Sequence, residues 1–302
     1  MSLGISIAVI LMLVVVLGFF ARVSRADGSP KQLRELTATE LQKMEQVIPA
    51  EAKAKPAKPR KILVFWLCNG YFHESIPVIN KAIELMGKKT GAYDAVFSDD
   101  MNMFSADKLA EFDAVVFNNT TKLEFNEPGQ RKAIMDFAKG GKGIIGIHAA
   151  TDNFYTWPEA AGMMGGIFVY HPWTAGGVWA IKNADPNHPL NAAFKGEDFK
   201  IKDEIYRVKL LKLRENCRVL LTLDLNDPAT KSAKGVVASD LDMPVSWIRN
   251  YDKGRVFYCG LGHNNEVIFR PSILQHYLDG IQFALGDLAV DATPAAKSSE
   301  QK

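Results

Sequence analysis

Four of the six histidines follow a predicted strand or a glycine-rich turn: His73, His148, His171 and His263. Open α/β sheets bind their ligands beyond the carboxyl ends of the strands, because loops and helix N-termini converge there. Imidazole can act as a base, an acid or a metal ligand near neutral pH. A single histidine in a loop is usually structural, but four directed to one edge of one sheet predict a shared site.

The densest motif covers residues 146–152, GIHAATD. Small residues around His148 allow a tight strand-to-helix turn that would project the imidazole into the cleft, as in a nucleophile elbow. Asp152 could orient this imidazole or act beside it. It could equally cap the next helix, and the sequence leaves both interpretations open.

Three further segments carry glycines, aromatics and acidic residues, and they are 165–173, 203–206 and 260–264. Paired glycines let the backbone approach a ligand closely, and aromatic rings offer faces on which sugar rings stack. His188 and His276 are excluded from the site, because a turn and the surface of a helix explain them.

Continuous β-rich runs alternate with amphipathic stretches between about residues 60 and 290, which is typical of a parallel sheet covered by helices. The candidate strands are 61–67, 93–98, 113–118 and 143–148, with helices over 76–86, 106–111 and 128–139. Strands then become denser, at 178–182, 218–223, 245–249 and 255–258, before a final helix over 271–285. The sequence therefore predicts one α/β domain over residues 60–289.

The two ends of the chain differ from this domain. Residues 5–20 are apolar and precede a small-residue pattern ending at Ala26, which predicts a signal peptide over 1–26 or, if uncleaved, an N-terminal membrane anchor. We therefore expect a periplasmic or secreted protein. Residues 27–59 are interpreted as a polar linker with a short helix capped by Thr39, and 290–302 as a disordered tail.

Composition excludes other classes. The net charge of +2 and the lack of a basic, aromatic-interleaved stripe exclude a nucleic-acid partner. The three cysteines are Cys68, Cys217 and Cys259, and their number and spacing fit neither a disulfide framework nor a zinc knuckle.

Several of these segments together resemble the ThuA-like (trehalose utilisation) family over residues 60–287. The matching segments are 72–76, 146–152, 157–158, 165–166 with 171–173, 203–206, 244–247, 254–258 and 261–263. The resemblance implies a flavodoxin-like, class I glutamine amidotransferase-like fold: a mostly parallel sheet flanked by helices, with additional strands in the C-terminal half. Amidotransferases carry a cysteine at the elbow, where this chain has His148, so glutamine hydrolysis should be absent.

The resemblance also implies a role in carbohydrate metabolism, on trehalose-like disaccharides or keto-sugars, and a divalent metal, with zinc as first choice. Our leading hypothesis is a metal-assisted hydrolase, lyase or isomerase. Its predicted metal ligands are His148, His171 and His263, and its predicted catalytic residues are His148, Asp152 and Glu204. Its predicted substrate-binding residues are His73, Tyr155, Trp157, Trp173 and Asn264.

Two alternatives remain open from the sequence. The same cleft could belong to a non-catalytic carbohydrate-binding protein of the cell envelope, which would bind sugar without turnover and ignore chelators. Cys68 follows the first strand and precedes His73 by five residues, so it could instead be a nucleophile, although buried cysteines are usually inert.

Overall fold

The computed structural model describes residues 33–295 and the backbone of two short paired strands, Val23–Ser24 and Pro30–Lys31. Most of the predicted signal peptide or anchor and the last seven residues of the predicted tail lie outside the described residues. Within the described part of the chain, no helix is both long and apolar enough to cross a membrane.

The described chain is built on a nine-stranded mixed sheet. Its strands are β1 Lys61–Phe65, β2 Asp94–Ser98, β3 Ala114–Asn118, β4 Gly143–Ile147, β6 Val178–Asn183, β7 Phe199–Lys202, β9 Arg218–Leu223, β10 Pro244–Tyr251 and β11 Gly254–Cys259. They lie in the order β2-β1-β3-β4-β11-β10-β9-β6-β7. The first five strands in this order, which are β2, β1, β3, β4 and β11, run parallel to one another. The other four strands pair antiparallel with their neighbours. A mostly parallel half with extra strands from the C-terminal half of the chain confirms the predicted fold class.

Two further strands, β5 (Gly166–Trp173) and β8 (Ile205–Leu210), form a separate antiparallel pair. Sequence analysis assigned no strand to either range, nor to β7. Residues 168–171 of β5 are intermediate or exposed, so this strand lacks the buried apolar run by which the sheet strands were recognised.

Helices cover both faces of the sheet. They are α1 Ala38–Val47, α2 Ile76–Thr90, α3 Ala106–Leu109, α4 Pro128–Lys139, α5 Pro158–Met164, α6 Leu213–Asn216, α7 Pro228–Lys231, α8 Asn265–Ile268 and α9 Pro271–Leu285, with 3-10 turns at Met101–Phe104, His148–Thr151 and Pro189–Phe194. Side chains of β1 alternate between two cores: Ile62 and Val64 pack with α2 and α9, whereas Leu63 and Phe65 pack with α4 and α5. This alternation follows from the two-residue period of a strand buried on both sides.

The segment predicted to be a polar linker packs on the domain from residue 33 onward. Helix α1 begins after Thr37, which forms a capping box with Glu40, so the predicted cap at Thr39 is wrong. Met44 and Ile48 are buried in the core beside α2, and Lys53 forms an ion pair with the buried Asp279 of α9. The sequence of this segment predicted a linker because most of its residues are polar and only a few of them contact the domain.

Candidate functional site

Four side chains from four different loops meet at the carboxyl edge of the parallel strands: His73, His148, Glu204 and His263. One ligand atom of each lies within 4.8 Å of those of the others. His73 follows β1, His148 follows β4, Glu204 lies between β7 and β8, and His263 follows β11. The edge that the sequence analysis selected therefore does gather imidazoles and a carboxylate.

The backbone of His148 fixes its imidazole. Its φ is +44°, a left-handed conformation that is uncommon outside glycine, and Tyr258 Oη donates a hydrogen bond to its carbonyl oxygen over 2.6 Å. His148 Nδ1 donates to Gly260 O over 2.9 Å. Nδ1 therefore carries the proton, and the lone pair of Nε2 faces the cluster, where Nε2 is buried without a hydrogen-bond partner.

Burial keeps these imidazoles neutral. Burial, together with the neighbouring His263, lowers the pKa of His73 to about 3, and burial followed by His73 and His263 lowers the pKa of His148 well below its usual value. Burial also lowers the pKa of His263. A neutral imidazole with a free lone pair is the form that binds a metal ion.

Glu204 supplies the carboxylate of the cluster. Its Oε1 lies 3.7 Å from both His148 Nε2 and His263 Nε2. Burial, and then the neighbouring Asp203, raise the pKa of Glu204 to about 7. This carboxyl group can therefore hold or release a proton near neutral pH.

Asp203 points the other way and braces the loop that carries His263. Its two carboxylate oxygens accept hydrogen bonds from the backbone N–H groups of Gly262 (2.7 Å) and Asn264 (2.8 Å). Complete burial outweighs these bonds and raises the pKa of Asp203 to about 7. Asn264, predicted to bind substrate, donates its side-chain amide to the carbonyls of Ala175 and Lys202, so in this structure it braces the same loop.

Two predicted site residues, His73 and His171, lie in different places relative to the cluster from those expected. His171, predicted as a ligand, lies on β5 outside the group of four, with its Nδ1 3.1 Å from Glu204 Oε2. His73, predicted to contact substrate, belongs to the group of four instead. The Glu204 carboxylate lies between the two sets, with one oxygen toward the cluster and the other toward His171.

Asp152 lies beside the cluster without joining it. Its carboxylate accepts a hydrogen bond from Tyr155 Oη and forms an ion pair with Lys122 Nζ over 3.0 Å. Lys122 Nζ also lies 4.2 Å from the centroid of the Tyr155 ring. Asp152 therefore does not orient His148 in this structure, and its partners are a lysine and a phenol.

The two predicted tryptophans are packing residues in this structure. Trp157 is 7% exposed and packs among Phe125 and Phe154 in the core beneath α4 and α5. Trp173 is fully buried, and its indole N–H donates to Thr230 O over 2.9 Å. Neither ring presents an open face to a sugar.

Sequence analysis missed the polar segment that follows β3. Asn118, Asn119, Thr120 and Thr121 are fully buried. Asn119 Nδ2 donates to Ser75 Oγ over 3.3 Å, and Ser75 Oγ donates to Gly262 O over 2.7 Å, so this segment ties the loops of His73 and His263 together. A buried strand that ends in four polar residues was the signal that could have revealed it.

The donor set fits a divalent cation. Two imidazole nitrogens of the group, His73 Nδ1 and His148 Nε2, are buried without a hydrogen-bond partner, as is Nδ1 of the adjacent His171, which is costly unless something binds them. Ligands of a tetrahedral zinc ion at about 2.0–2.1 Å are roughly 3.4 Å apart, so atoms within 4.8 Å need only a small contraction. Imidazole with one carboxylate is a common donor set for zinc.

The three cysteines lie outside this cluster, and all are buried. Cys68 Sγ donates to Asn119 O over 3.2 Å. Burial raises the pKa of Cys217 to about 11 and that of Cys259 to about 12. The two latter thiols therefore stay protonated, which is the unreactive form.

The chain belongs to the ThuA family, described as trehalose utilisation, whose sequence profile matches residues 61–284. The fold is similar to that of a ThuA-like protein from Bacteroides uniformis, with a TM-score of 0.62 and 19% identity over 77% of this chain and 94% of that one. A ThuA-like protein from Parabacteroides merdae gives a TM-score of 0.55 at 19% identity, over 80% and 94% of the two chains. A cytoplasmic protein from Salmonella typhimurium gives 0.51 at 13% identity, over 74% and 99%. At these identities the likeness concerns the fold, and no curated protein matches the chain significantly.

Proposed function

We propose that this chain is a metal-dependent enzyme acting on a carbohydrate of the disaccharide or keto-sugar class. The observation that carries the proposal is the group of His73, His148, Glu204 and His263, whose ligand atoms lie within 4.8 Å of one another. Membership of a family described by trehalose utilisation supports the substrate class. A divalent cation bound there would polarise a sugar carbonyl or activate water.

The protein's own groups would handle the proton. Glu204 Oε1 faces two histidines of the cluster, whereas Oε2 lies 3.1 Å from His171 Nδ1. Glu204 would hold the cation through Oε1, while its outer oxygen Oε2 suits the role of general acid or base for a hydrolase, lyase or isomerase. His171 is half exposed and would orient the outer carboxylate oxygen toward substrate.

The first experiment is metal analysis of the purified full chain, comparing wild type with His148→Ala and His171→Ala. We expect near-stoichiometric zinc, manganese or nickel in wild type, loss of the metal in His148→Ala, and retention in His171→Ala. His188→Ala is a control histidine outside the site. Loss of metal in both His148→Ala and His171→Ala would support the ligand set of His148, His171 and His263.

Turnover separates an enzyme from a binding protein. Trehalose and its 3-keto derivative are incubated with the metal-loaded wild type and with the two variants. Turnover that disappears with the metal in His148→Ala supports the proposal. Sugar binding without turnover, indifferent to chelators, would favour a carbohydrate-binding protein of the envelope, and a wild type without metal would remove the metal from the proposal.

Export forms a second part of the proposal. It is supported by the apolar run of residues 5–20 and the small-residue pattern before Asp27. N-terminal sequencing after cell fractionation tests it: a periplasmic or secreted form beginning at Asp27 is expected, and an intact chain in the membrane fraction would indicate the anchor. An intact chain in the cytoplasm would contradict export.

A further inference from the structure

Exposed aromatic side chains are concentrated around the histidine cluster. Among residues 33–295, three aromatic side chains are exposed, and they are Tyr71, Tyr155 and Tyr170. Tyr170 stacks on His171 with ring centroids 5.2 Å apart. Tyr155 donates a hydrogen bond from its phenol to the Asp152 carboxylate beside the cluster. Single exposed aromatic side chains are common, but their grouping around one site is typical of a ligand-binding groove, so we take these three to line the mouth of the site.

Tyr71 is the most exposed of the three, at 61%. Its ring lies edge-on to His73, with centroids 4.8 Å apart, and is nearly parallel to His263 at 6.1 Å. The phenol ring thus rests on two of the four cluster residues while most of its surface faces solvent. Sequence analysis gave this residue no role.

The loop that carries Tyr71 is fixed by one residue of the segment after β3. Thr121 O accepts from Asn69 N over 2.8 Å, and Thr121 Oγ1 accepts from Gly70 N over 3.2 Å. The same hydroxyl donates to Tyr71 O over 2.8 Å. Because this loop is held by hydrogen bonds before binding, it loses little conformational entropy when a ligand binds beside Tyr71.

We propose that Tyr71 is the residue on which a pyranose ring of the substrate stacks, adjoining the histidine cluster. The apolar C–H face of a sugar packs on an aromatic ring, and the phenol hydroxyl remains available at the rim. Since Tyr71 touches His73 and His263 directly, the sugar unit stacked on it is the unit presented to the cluster. This inference rests on the proposed carbohydrate function and assigns the stacking contact with the sugar to Tyr71.

The test is calorimetric titration of the full chain with trehalose, with and without added zinc. Tyr71→Phe keeps the ring, whereas Tyr71→Leu keeps an apolar side chain against the histidines but removes the aromatic face. We expect Tyr71→Phe to bind trehalose within about twofold of wild type and Tyr71→Leu to bind about tenfold more weakly, the scale of one aromatic contact. Zinc content should be equal in all three proteins.

The result for this residue is separable from that for the whole site. Equal trehalose affinity in Tyr71→Leu and wild type would overturn the stacking role, while metal binding and turnover would leave the proposed function standing. If wild type binds no zinc, the metal-free titration still decides the role of Tyr71. Failure of wild type to bind trehalose, maltose or sucrose in either state would overturn the inference.

Discussion

At the scale of single residues, one strained backbone and one buried carboxylate support the cluster. The left-handed backbone of His148 costs of order 1–3 kcal/mol for a non-glycine residue, and it is held by the phenol of Tyr258 and the carbonyl of Gly260. On the opposite side, Asp203 binds the backbone on both sides of His263. The ligand atoms are therefore positioned by groups that do not themselves face the cluster.

Asp203→Asn should loosen this arrangement. An amide offers one acceptor oxygen where the carboxylate offers two, so the N–H of Gly262 or of Asn264 would face an NH₂ group. A buried donor without a partner costs about 1–3 kcal/mol of unfolding free energy, and we expect the dissociation constant for zinc to rise about tenfold, as for other supporting residues. Denaturant unfolding and competitive zinc titration measure the two effects.

Asp227→Asn is the matched control. Asp227 also accepts a backbone N–H, that of Thr230, but at the N-cap of α7 and outside the cluster, where it is also paired with Lys200 Nζ. Its replacement should leave zinc affinity unchanged and lower stability by at most about 1 kcal/mol, because asparagine caps a helix as well as aspartate does and a partly exposed ion pair contributes little. An Asp203→Asn protein with wild-type zinc affinity would show that the loop needs no such brace.

At the scale of elements, the loop between β11 and α8 leaves no room for a side chain at Gly262. Gly262 has φ +130°, and a Cβ atom added to it would lie 2.7 Å from Tyr277 Oη. Gly262→Ala should therefore lower the free energy of unfolding by about 1–3 kcal/mol. Displacement of His263, the next residue, should also weaken zinc binding.

Gly176→Ala provides the comparison for this loop. No atom lies within 4 Å of a Cβ added there, so its effect on stability should stay within about 0.5 kcal/mol. Thermal unfolding of both variants in excess chelator and in zinc measures stability and metal linkage together. Equal stabilities for the two variants would mean that the loop adjusts freely.

Most strands of the sheet could be predicted from the sequence because they read as apolar runs, and β1, β3 and β4 are buried almost throughout. Strand β7 could not, because two of its four residues are exposed lysines. The starts and ends of β3 and β4 agree with prediction to within one residue. Strand β5 could not be found in this way, since its middle is exposed. The loop contacts were equally hidden: Asp203 and Glu204 are adjacent in sequence, yet one faces the 262–264 backbone and the other the histidines.

The edge of the sheet was predictable, but the membership of the cluster was not. The rule that ligands bind beyond the carboxyl ends of strands selected all three histidines of the group. The place of His171 depends on the pairing of β5 with β8, and that of His73 on how its loop packs beside His263, and both are tertiary contacts. Trp157 and Trp173 show the same limit, because their types suit sugar binding while their positions bury them.

At the scale of the whole molecule, a buried polar group also joins elements in the core on the α9 side of the sheet. His276 of α9 was assigned to the helix surface by the sequence pattern, whereas it is fully buried. Its Nδ1 donates to Leu190 O over 2.8 Å, and its Nε2 lies 2.9 Å from Ser246 Oγ. It therefore ties α9 to the sheet and to the 3-10 turn at Pro189–Phe194.

This buried histidine should make the fold sensitive to acid. Burial lowers the pKa of His276 to about 4, although the hydrogen bond to Leu190 O acts in the opposite direction, against 6.5 in the unfolded chain. Between these values the unfolded state binds more protons than the folded state, so the stability associated with neutral His276 is lost as pH falls from about 6.5 toward 4. Each pH unit in that window is worth up to about 1.4 kcal/mol.

Comparison with His276→Gln isolates this effect from the cluster. Glutamine retains a donor and an acceptor but takes up no proton on unfolding, so its contribution is independent of pH. Near pH 7.5 the variant should be less stable than wild type by about 1–3 kcal/mol, and the difference should shrink as pH approaches 4. Urea unfolding in excess chelator removes metal linkage, while the histidines and carboxyls of the site cancel between the two proteins. A difference in stability that stays constant between pH 7.5 and 4.5 would mean that the pKa of His276 is the same in the folded and unfolded states.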